Sequence, residues 1–345
     1  MARIALDAMG GDFAPRAPIA GALQALAEVD DAHVVQLVGR ISEIEQVLGD
    51  LLAGELAEHA RVRERISLID APDAISMSDK PTAALRSSSN NPMSVGIKLQ
   101  ADDASDAFVS AGNTGAQMAA SALLLGRLSG VTRPAIATIF PTALKPIVFL
   151  DSGANVDCSP YELVQFAWLG SVYAECVLGR DHPSIGLLSI GEEKEKGNTT
   201  TKGAHALFQS AGFNFHGNVE GRDLPAGASD RGPIDVVVCD GFVGNVVLKF
   251  YEAVMPMIVS LLTAVPSFDQ AVLEAALGPL DSTSYGGAPL LGVQGVSIIC
   301  HGNSSPRAIK NAVKVAVRAV ETRMNEHIEE RLASAAGSLS SGQVA

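Results

Sequence analysis

The segment Ala107-Phe-Val-Ser-Ala-Gly-Asn-Thr-Gly-Ala116 runs an apolar strand directly into a small polar turn and an alanine-rich helix. A junction of this kind can bind an anion. Helix N-termini carry N–H groups without intrahelical acceptors, and ligand crevices of α/β sheets lie at the carboxyl ends of the strands. Gly112 and Gly115 permit close backbone approach, while Asn113 and Thr114 add side-chain donors. Strand-to-helix turns favour the same residues for conformational reasons alone, so the weight lies in recurrence.

Five further apolar runs end in the same way. They are Ile4-Ala-Leu-Asp-Ala-Met-Gly-Gly-Asp12, Val148-Phe-Leu-Asp-Ser-Gly-Ala-Asn155, Gly186-Leu-Leu-Ser-Ile-Gly-Glu-Glu-Lys-Glu-Lys-Gly-Asn198, Val236-Val-Val-Cys-Asp-Gly-Phe-Val-Gly-Asn245 and Ser297-Ile-Ile-Cys-His-Gly-Asn-Ser-Ser305. Buried parallel strands read as continuous apolar runs whose ends share one edge, so these residues are expected to converge on one cleft. Lys194 reads as a solvated loop lysine; Lys196, beside Gly197 and Asn198, reads as an anion ligand. Arg222, also beside a glycine, belongs with the few basic residues so placed. His301 has two readings, a ligand-facing strand end or a cap on the next helix. Asp7, Asp12, Asp151 and Asp240 would repel phosphate unless paired. They are read as loop-ordering caps or partners of Lys and Asn, with a divalent-metal role as the alternative.

The elements that must position these groups alternate from end to end. Strands are predicted near 3–8, 33–38, 66–70, 106–110, 135–140, 146–151, 184–190, 214–219, 235–239 and 296–300, with helical patterns between most of them. The fold class is α/β, a three-layer α/β/α Rossmann-like sheet. Residues 1–334 form one catalytic domain, with room for two lobes, and 335–345 read as a flexible tail. Arg86-Ser-Ser-Ser-Asn-Asn-Pro92 reads as a mobile loop. Helices on either side of Pro266-Ser-Phe268 suggest an apolar hairpin near 243–280, with Leu261, Leu262, Val265 and Phe268 near its tip. Such a patch most often marks a dimer contact.

Composition narrows the function. Of 345 residues, 47% are hydrophobic and 18% charged, with a formal net charge of -13, which opposes a general nucleic-acid surface. The longest apolar stretch, Val254 to Val265, is shorter than the roughly 20 residues that span a bilayer, and the N-terminus carries no signal-peptide pattern. Cys158, Cys176, Cys239 and Cys300 lack metal-ligand spacing and read as reduced cysteines of a cytoplasmic protein. None has a base evident in sequence, which disfavours an acyl-cysteine route. There is no G-x-G-x-x-G after the first strand, no P-loop, no G-x-S-x-G elbow and no H-E-x-x-H.

Taken together, Asp7-Ala-Met-Gly-Gly-Asp12, Ser110 to Ala116, Gly191-Glu-Glu-Lys-Glu-Lys-Gly-Asn198, Gly217-Asn-Val-Glu-Gly221, Cys239 to Lys249, Tyr285-Gly-Gly-Ala-Pro-Leu-Leu-Gly292 and His301-Gly-Asn-Ser304 resemble the bacterial phosphate acyltransferases over nearly the whole chain. The resemblance implies an architecture related to isopropylmalate dehydrogenase and phosphotransacetylase. It also implies transfer of a fatty acyl group from acyl carrier protein to inorganic phosphate, giving acyl phosphate for phospholipid synthesis without metal or cofactor. Lys196 and Asn245 are assigned to the acyl carbonyl or its oxyanion. Asn113, Thr114, Gly112, Gly115, Asn198, His301 and Ser304 are assigned to phosphate or positioning. The resemblance further implies a cytoplasmic homodimer that touches the membrane peripherally and supplies a downstream glycerol-3-phosphate acyltransferase, with no nucleic-acid partner. In one place the chain departs from the family: where lysines and a Ser-Ser-Met are usual after Arg86, it reads Ser87-Ser-Ser-Asn-Asn-Pro-Met93, which weakens any basic contact from that loop to the acidic carrier. The alternative function is a metal- and nicotinamide-dependent dehydrogenase of related three-layer fold.

Overall fold

The apolar runs of the sequence become strands of two separate sheets, each largely parallel and each covered by helices. A computed structural model describes residues 1–73, 75, 89–263 and 285–341. The chain divides into two compact units. The first comprises Met1–Ser129 and Tyr285–His327, and the second the described residues of Gly130–Ser284 and Ile328–Ala345.

The first unit contains β1 (Arg3–Asp7), α1 (Arg16–Glu28), β2 (Val34–Gly39), α2 (Ile41–Ala53), a 3-10 helix (Ala57–Arg65), β3 (Ile66–Asp70), α3 (Pro92–Ala101), β4 (Ala107–Ser110) and α4 (Thr114–Leu124). After the second unit the chain returns as β13 (Ala288–Leu291), β14 (Val296–Ile299), α9 (Pro306–Glu321) and the start of α10 (Met324–Ser341). The strands lie in the order β3-β2-β1-β4-β14-β13. All these pairs are parallel except β13 with β14. The chain winds outward from β1 to β2 and β3, then crosses to β4 on the other side of β1. Right-handed crossovers therefore place α1 and α2 on one face and α3 on the other, and α1 packs against α9 while α3 packs against α4. The reversal of strand order between β1 and β4 is a topological switch point, where such sheets open their ligand crevice.

The second unit contains β5 (Ala135–Ile136), β6 (Thr138–Phe140), β7 (Ile147–Leu150), α5 (Pro160–Cys176), β8 (Ser184–Leu188), α6 (Thr199–Ser210), β9 (Asn214–Val219), α7 (Asp223–Ala226), the small hairpin of β10 (Ala228–Ser229) and β11 (Gly232–Pro233), β12 (Val236–Val238) and α8 (Gly241–Thr263). Its sheet runs β6-β7-β12-β8-β9, with only the β6/β7 pair antiparallel. Helix α5 starts at a capping box, in which Ser159 and Glu162 satisfy each other's backbone N–H, and almost its whole length is buried. On another side of the sheet, Phe140, Phe149, Val219, Val237 and Cys239 form a core that Val247 and Tyr251 of α8 help to close.

Several expectations change. Strand-end residues do not share one edge: Asp7, Gly112 and His301 follow strands of the first sheet, whereas Asp151, Lys196 and Asp240 follow strands of the second. The reason is topological, since the chain leaves the first unit at Gly130 and returns to it only at Tyr285. The segment 135–140 is two short strands, and Ala288–Leu291, read only as a motif, pairs with β14. Helix α10 continues to Ser341 through residues read as a tail, and Ala335 on it is buried. Charged Lys249 and Glu252 interrupted the apolar run in sequence, yet α8 is continuous over 23 residues with a mean hydropathy of 1.6 in its most apolar window. By length and composition it could cross a membrane. Lys249 and Glu252 meet in an ion pair at 2.8 Å. The loop at Arg86, the hairpin turn and second helix, and the tip residues Val265 and Phe268 lie outside the described residues.

Candidate active site

At the switch point of the first sheet, Asp7 ends β1 and its carboxylate is buried. Oδ1 accepts the Met9 N–H at 2.9 Å and Oδ2 accepts the Ser110 hydroxyl at 2.7 Å. The Ser110 oxygen accepts the Gly112 N–H at 2.9 Å. One carboxyl thus ties the loop after β1 to the turn after β4. Burial pushes Asp7 above the ordinary carboxylate range, against the pull of hydrogen bonds from Ser110, Met9 and Gly10. Gly10 is forced by space: a β-carbon there would lie 2.5 Å from Asp7 Oδ2 and 2.8 Å from the Gly112 nitrogen. A third loop joins through the Asp12 N–H, which donates to the Gly302 carbonyl at 2.7 Å. Asp7, Gly10, Asn91, Met93, Gly112 and Asn113 help to line a small cavity at this point.

Asn113 is the N-cap of α4, its side-chain oxygen accepting the Ala116 N–H at 3.0 Å. Thr114 and Gly115 form the first turn, whose N–H groups are left without intrahelical acceptors by helix geometry. His301 is exposed, and its carbonyl accepts the N–H of the buried Ser304 at 3.0 Å. The cap of α9 is Ser305, not His301, because the Ser305 oxygen is the one that accepts from Ala308.

In the second sheet the corresponding carboxylate is Asp151, fully buried after β7. It accepts from the N–H groups of Ile136 (3.0 Å), Gly153 (3.2 Å), Ala154 (3.0 Å) and Asn155 (2.7 Å) and from Asn155 Nδ2 (2.9 Å). Burial raises its pKa, and these donors oppose the rise. The Asn155 carbonyl accepts the Gly241 N–H at 2.8 Å, clamping this loop to the first turn of α8. A β-carbon on Gly244 would lie 1.8 Å from the Asp151 carbonyl oxygen, so glycine is obligatory for that contact. Asp240 caps α8 by accepting the Val243 N–H at 2.8 Å. Asn245, one turn in, is exposed and lies over Gly153. Among the described residues its amide has no hydrogen-bond partner.

The loop after β8 carries Lys196 and Asn198. Asn198 caps α6, accepting from the Thr201 N–H at 2.8 Å and its hydroxyl at 3.1 Å. Lys196 is exposed, its stem lies against Gly191, and its ammonium has no partner among the described residues. Lys194 faces Glu195 at 3.8 Å, and Arg222 is held by Glu192 at 2.9 Å and Glu220 at 2.8 Å. Of the basic residues picked out in this region, Lys196 is therefore the one without an acidic partner. No hydrogen bond among the described residues joins Lys196 or Asn198 to Asn245 or Asp151.

Sequence reasoning missed the residues that act through backbone. Ser110 and Asn155 shape the two carboxylate loops, and Asn218 donates to the Glu193 carbonyl at 2.9 Å while pairing with His205 at 2.9 Å. That network props the Lys196 loop from beneath. The Gly217-Asn218 dipeptide was the only signal. Burial pushes Cys158 and Cys300 to about 12 and Cys239 well above its ordinary value, so these thiols stay protonated at neutral pH. Among the described residues no group of three or more His, Cys, Asp or Glu is placed to hold a metal.

A family model described as "Fatty acid synthesis protein" matches residues 2–327. The phosphate acyltransferase of Desulforamulus reducens is 46% identical, covering 96% of this chain and 98% of that protein. The phosphate acyltransferase of Heliobacterium modesticaldum is 45% identical, covering 96% and 97%. Among solved structures, a phosphotransacetylase from Streptococcus pyogenes aligns with a TM-score of 0.61 at 14% identity over 93% of this chain and 94% of that one. The EutD phosphotransacetylase from Staphylococcus aureus aligns at 0.59 and 15% identity over 92% and 94%. At such identities the likeness is one of fold.

Proposed function

As the chain belongs to the phosphate acyltransferase family, we propose that it transfers a fatty acyl group from acyl carrier protein to inorganic phosphate. The near full-length likeness to relatives of that name carries the reading, and those names do not favour the dehydrogenase alternative. A phosphate oxygen attacks the thioester carbonyl carbon; the C–O bond forms, the oxyanion collapses, the C–S bond breaks and the thiolate takes the phosphate proton. Phosphate is a weak nucleophile in water, so the site must desolvate it, hold it and stabilise the oxyanion. Lys196 and Asn245 polarise the carbonyl; the unpartnered Lys196 ammonium and Asn245 amide support this. Gly112, Asn113, Thr114, Gly115, Asn198, His301 and Ser304 hold phosphate or position the loops, supported by the free first-turn N–H groups at the switch point. Asp7, Asp12, Asp151 and Asp240 order those loops.

The protein works as a cytoplasmic homodimer whose α8 ends touch the membrane and hand acyl phosphate to a glycerol-3-phosphate acyltransferase. The exposed Leu261 and half-buried Leu262 near the described end of that helix support this part. Incubation with hexadecanoyl carrier protein and phosphate should yield acyl phosphate; phosphate-independent thioester loss, or none, would reject the activity. Val265→Asp with Phe268→Asp should release protein from vesicles without lowering soluble turnover. Unchanged sedimentation would reject the membrane contact, and a monomer at micromolar concentration the dimer.

A further inference from the structure

The turn that carries Lys196 is held by a relay of three hydrogen bonds. The Glu193 carbonyl accepts the Lys196 N–H at 2.9 Å, and it also accepts from Asn218 Nδ2 at 2.9 Å. A carbonyl has no proton to give, so Asn218 Nδ2 is the donor and its Oδ1 faces His205 Nδ1, 2.9 Å away. His205 must therefore carry a proton on Nδ1. Both His205 on α6 and Asn218 on β9 are buried, and the imidazole stands edge-on to the Phe215 ring with centroids 5.2 Å apart. Among the described residues, Asn218 is the one side chain bonded to the backbone of residues 191–196. The ends of the loop are tied separately: the Ser189 N–H donates to the Val219 carbonyl at 2.8 Å, and Asn198 caps α6. The packing of α6 on β9 does not need the polar pair, because Phe208 of α6 already meets Phe215 of β9 with ring centroids 5.1 Å apart.

We propose that His205 and Asn218 are positioning residues for Lys196. The imidazole Nδ1–H orients the Asn218 amide, and the amide fixes the turn of residues 193–196 so that the ammonium is aimed at one point. The inference rests on the acyl-transfer reading of Lys196 and adds to it what holds that residue in place. An exposed lysine on a flexible stem serves an oxyanion only if its backbone is fixed, because a misplacement of about 1 Å can cost on the order of 100-fold in rate. The stem itself is confined by Gly191, where a β-carbon would lie 2.7 Å from Lys196 Cγ. Neither His205 nor Asn218 is assigned to phosphate or to the acyl carbonyl, so their effect on the reaction must pass through Lys196.

The test measures acyl phosphate formation from hexadecanoyl carrier protein and phosphate by the full-length protein and three variants. Asn218→Asp keeps the size and the acceptor for His205 but removes the donor to Glu193; His205→Leu removes the Nδ1–H; His205→Asn restores a donor where Nδ1 lies. Each is made in the starting protein and in Lys196→Ala. Asn218→Asp and His205→Leu should lower kcat about tenfold or more with KM for phosphate little changed, and His205→Asn should recover most of the loss. In the Lys196→Ala background the same substitutions should cost about twofold or less, because residues that act through one group are not additive. Equal losses in the two backgrounds, or near-normal kcat in both Asn218→Asp and His205→Leu, overturn the proposal. Hydrogen exchange read by mass spectrometry keeps this separate from the reaction: in both variants exchange should rise in residues 190–197 and stay unchanged in α6. Unchanged exchange in the loop, or a rise spread over α6 and β9, overturns the positioning role. Absence of acyl phosphate from the starting protein would instead reject the activity, and the exchange result would still decide whether His205 and Asn218 hold the turn.

Discussion

At the end of β1 the Asp7 carboxyl accepts the Met9 N–H and the Ser110 hydroxyl and binds two loops together; at the end of β7 the Asp151 carboxyl gathers five donors from its own loop and from Ile136. The first edge is small, polar and built mostly of backbone. The second carries exposed groups with unspent capacity, Lys196 and Asn245, amid exposed apolar side chains. A buried carboxylate can order either kind of edge, because its oxygens accept several N–H groups that would otherwise be unsatisfied. What differs is what the ordered loops present. The first offers N–H groups in a tight turn, and the second offers an exposed ammonium and amide beside exposed apolar side chains.

The contrast breaks most sharply on the second edge. Lys196→Ala and Asn245→Ala should each lower kcat/KM by about 100-fold or more, the usual cost of one oxyanion donor, with unchanged melting temperature because both residues are exposed. Near-normal rates in both variants would remove the distinction between the edges.

Next in size is the carboxylate comparison. Asp151→Ala leaves several buried N–H groups without acceptors and should cost roughly 2 kcal/mol or more, and more than Asp7→Ala, which strands fewer donors; denaturant titration of both variants decides the order. Titration adds a sign. Both carboxyls have folded pKa values above the unfolded value of about 4, so the folded state holds the proton more tightly. Their contribution is fully present below the unfolded pKa and is lost as pH rises through the folded pKa. Asp7→Asn should flatten that decline in a stability-against-pH series; an unaltered slope would show that Asp7 is not the group responsible.

A smaller effect sharpens the first edge. Gly10→Ala must move Asp7 or the Gly112 turn, and should cost roughly 1–3 kcal/mol, with KM for phosphate rising more than kcat falls. A fall confined to kcat would separate this turn from phosphate. The smallest effect belongs to the thiols: Cys158→Ala and Cys300→Ala should keep turnover, and no acyl-enzyme thioester should be trapped, because burial holds both thiols protonated. A folded, inactive Cys variant would overturn direct attack by phosphate.

Much was legible in the sequence because it is local. Strands such as Ile66–Asp70 and Asn214–Val219 fall where the apolar runs place them, the strand-end motifs pointed to the loops that carry the candidate groups, and their order along the chain carried the family resemblance. Local polypeptide physics decides these, since periodicity and Gly/Asn turn chemistry act within a few residues. Tertiary structure alone decided which strand ends share a sheet, because pairing joins residues far apart in sequence: Leu6 lies against Val109 and Val236 against Ile185. It also decided that, among the described residues, Lys196 lacks an acidic partner while Arg222 has three, and that Ser110, Asn155 and Asn218 shape the loops. Those roles depend on which donors and acceptors the fold brings within about 3 Å, a distance that residue type and spacing do not encode.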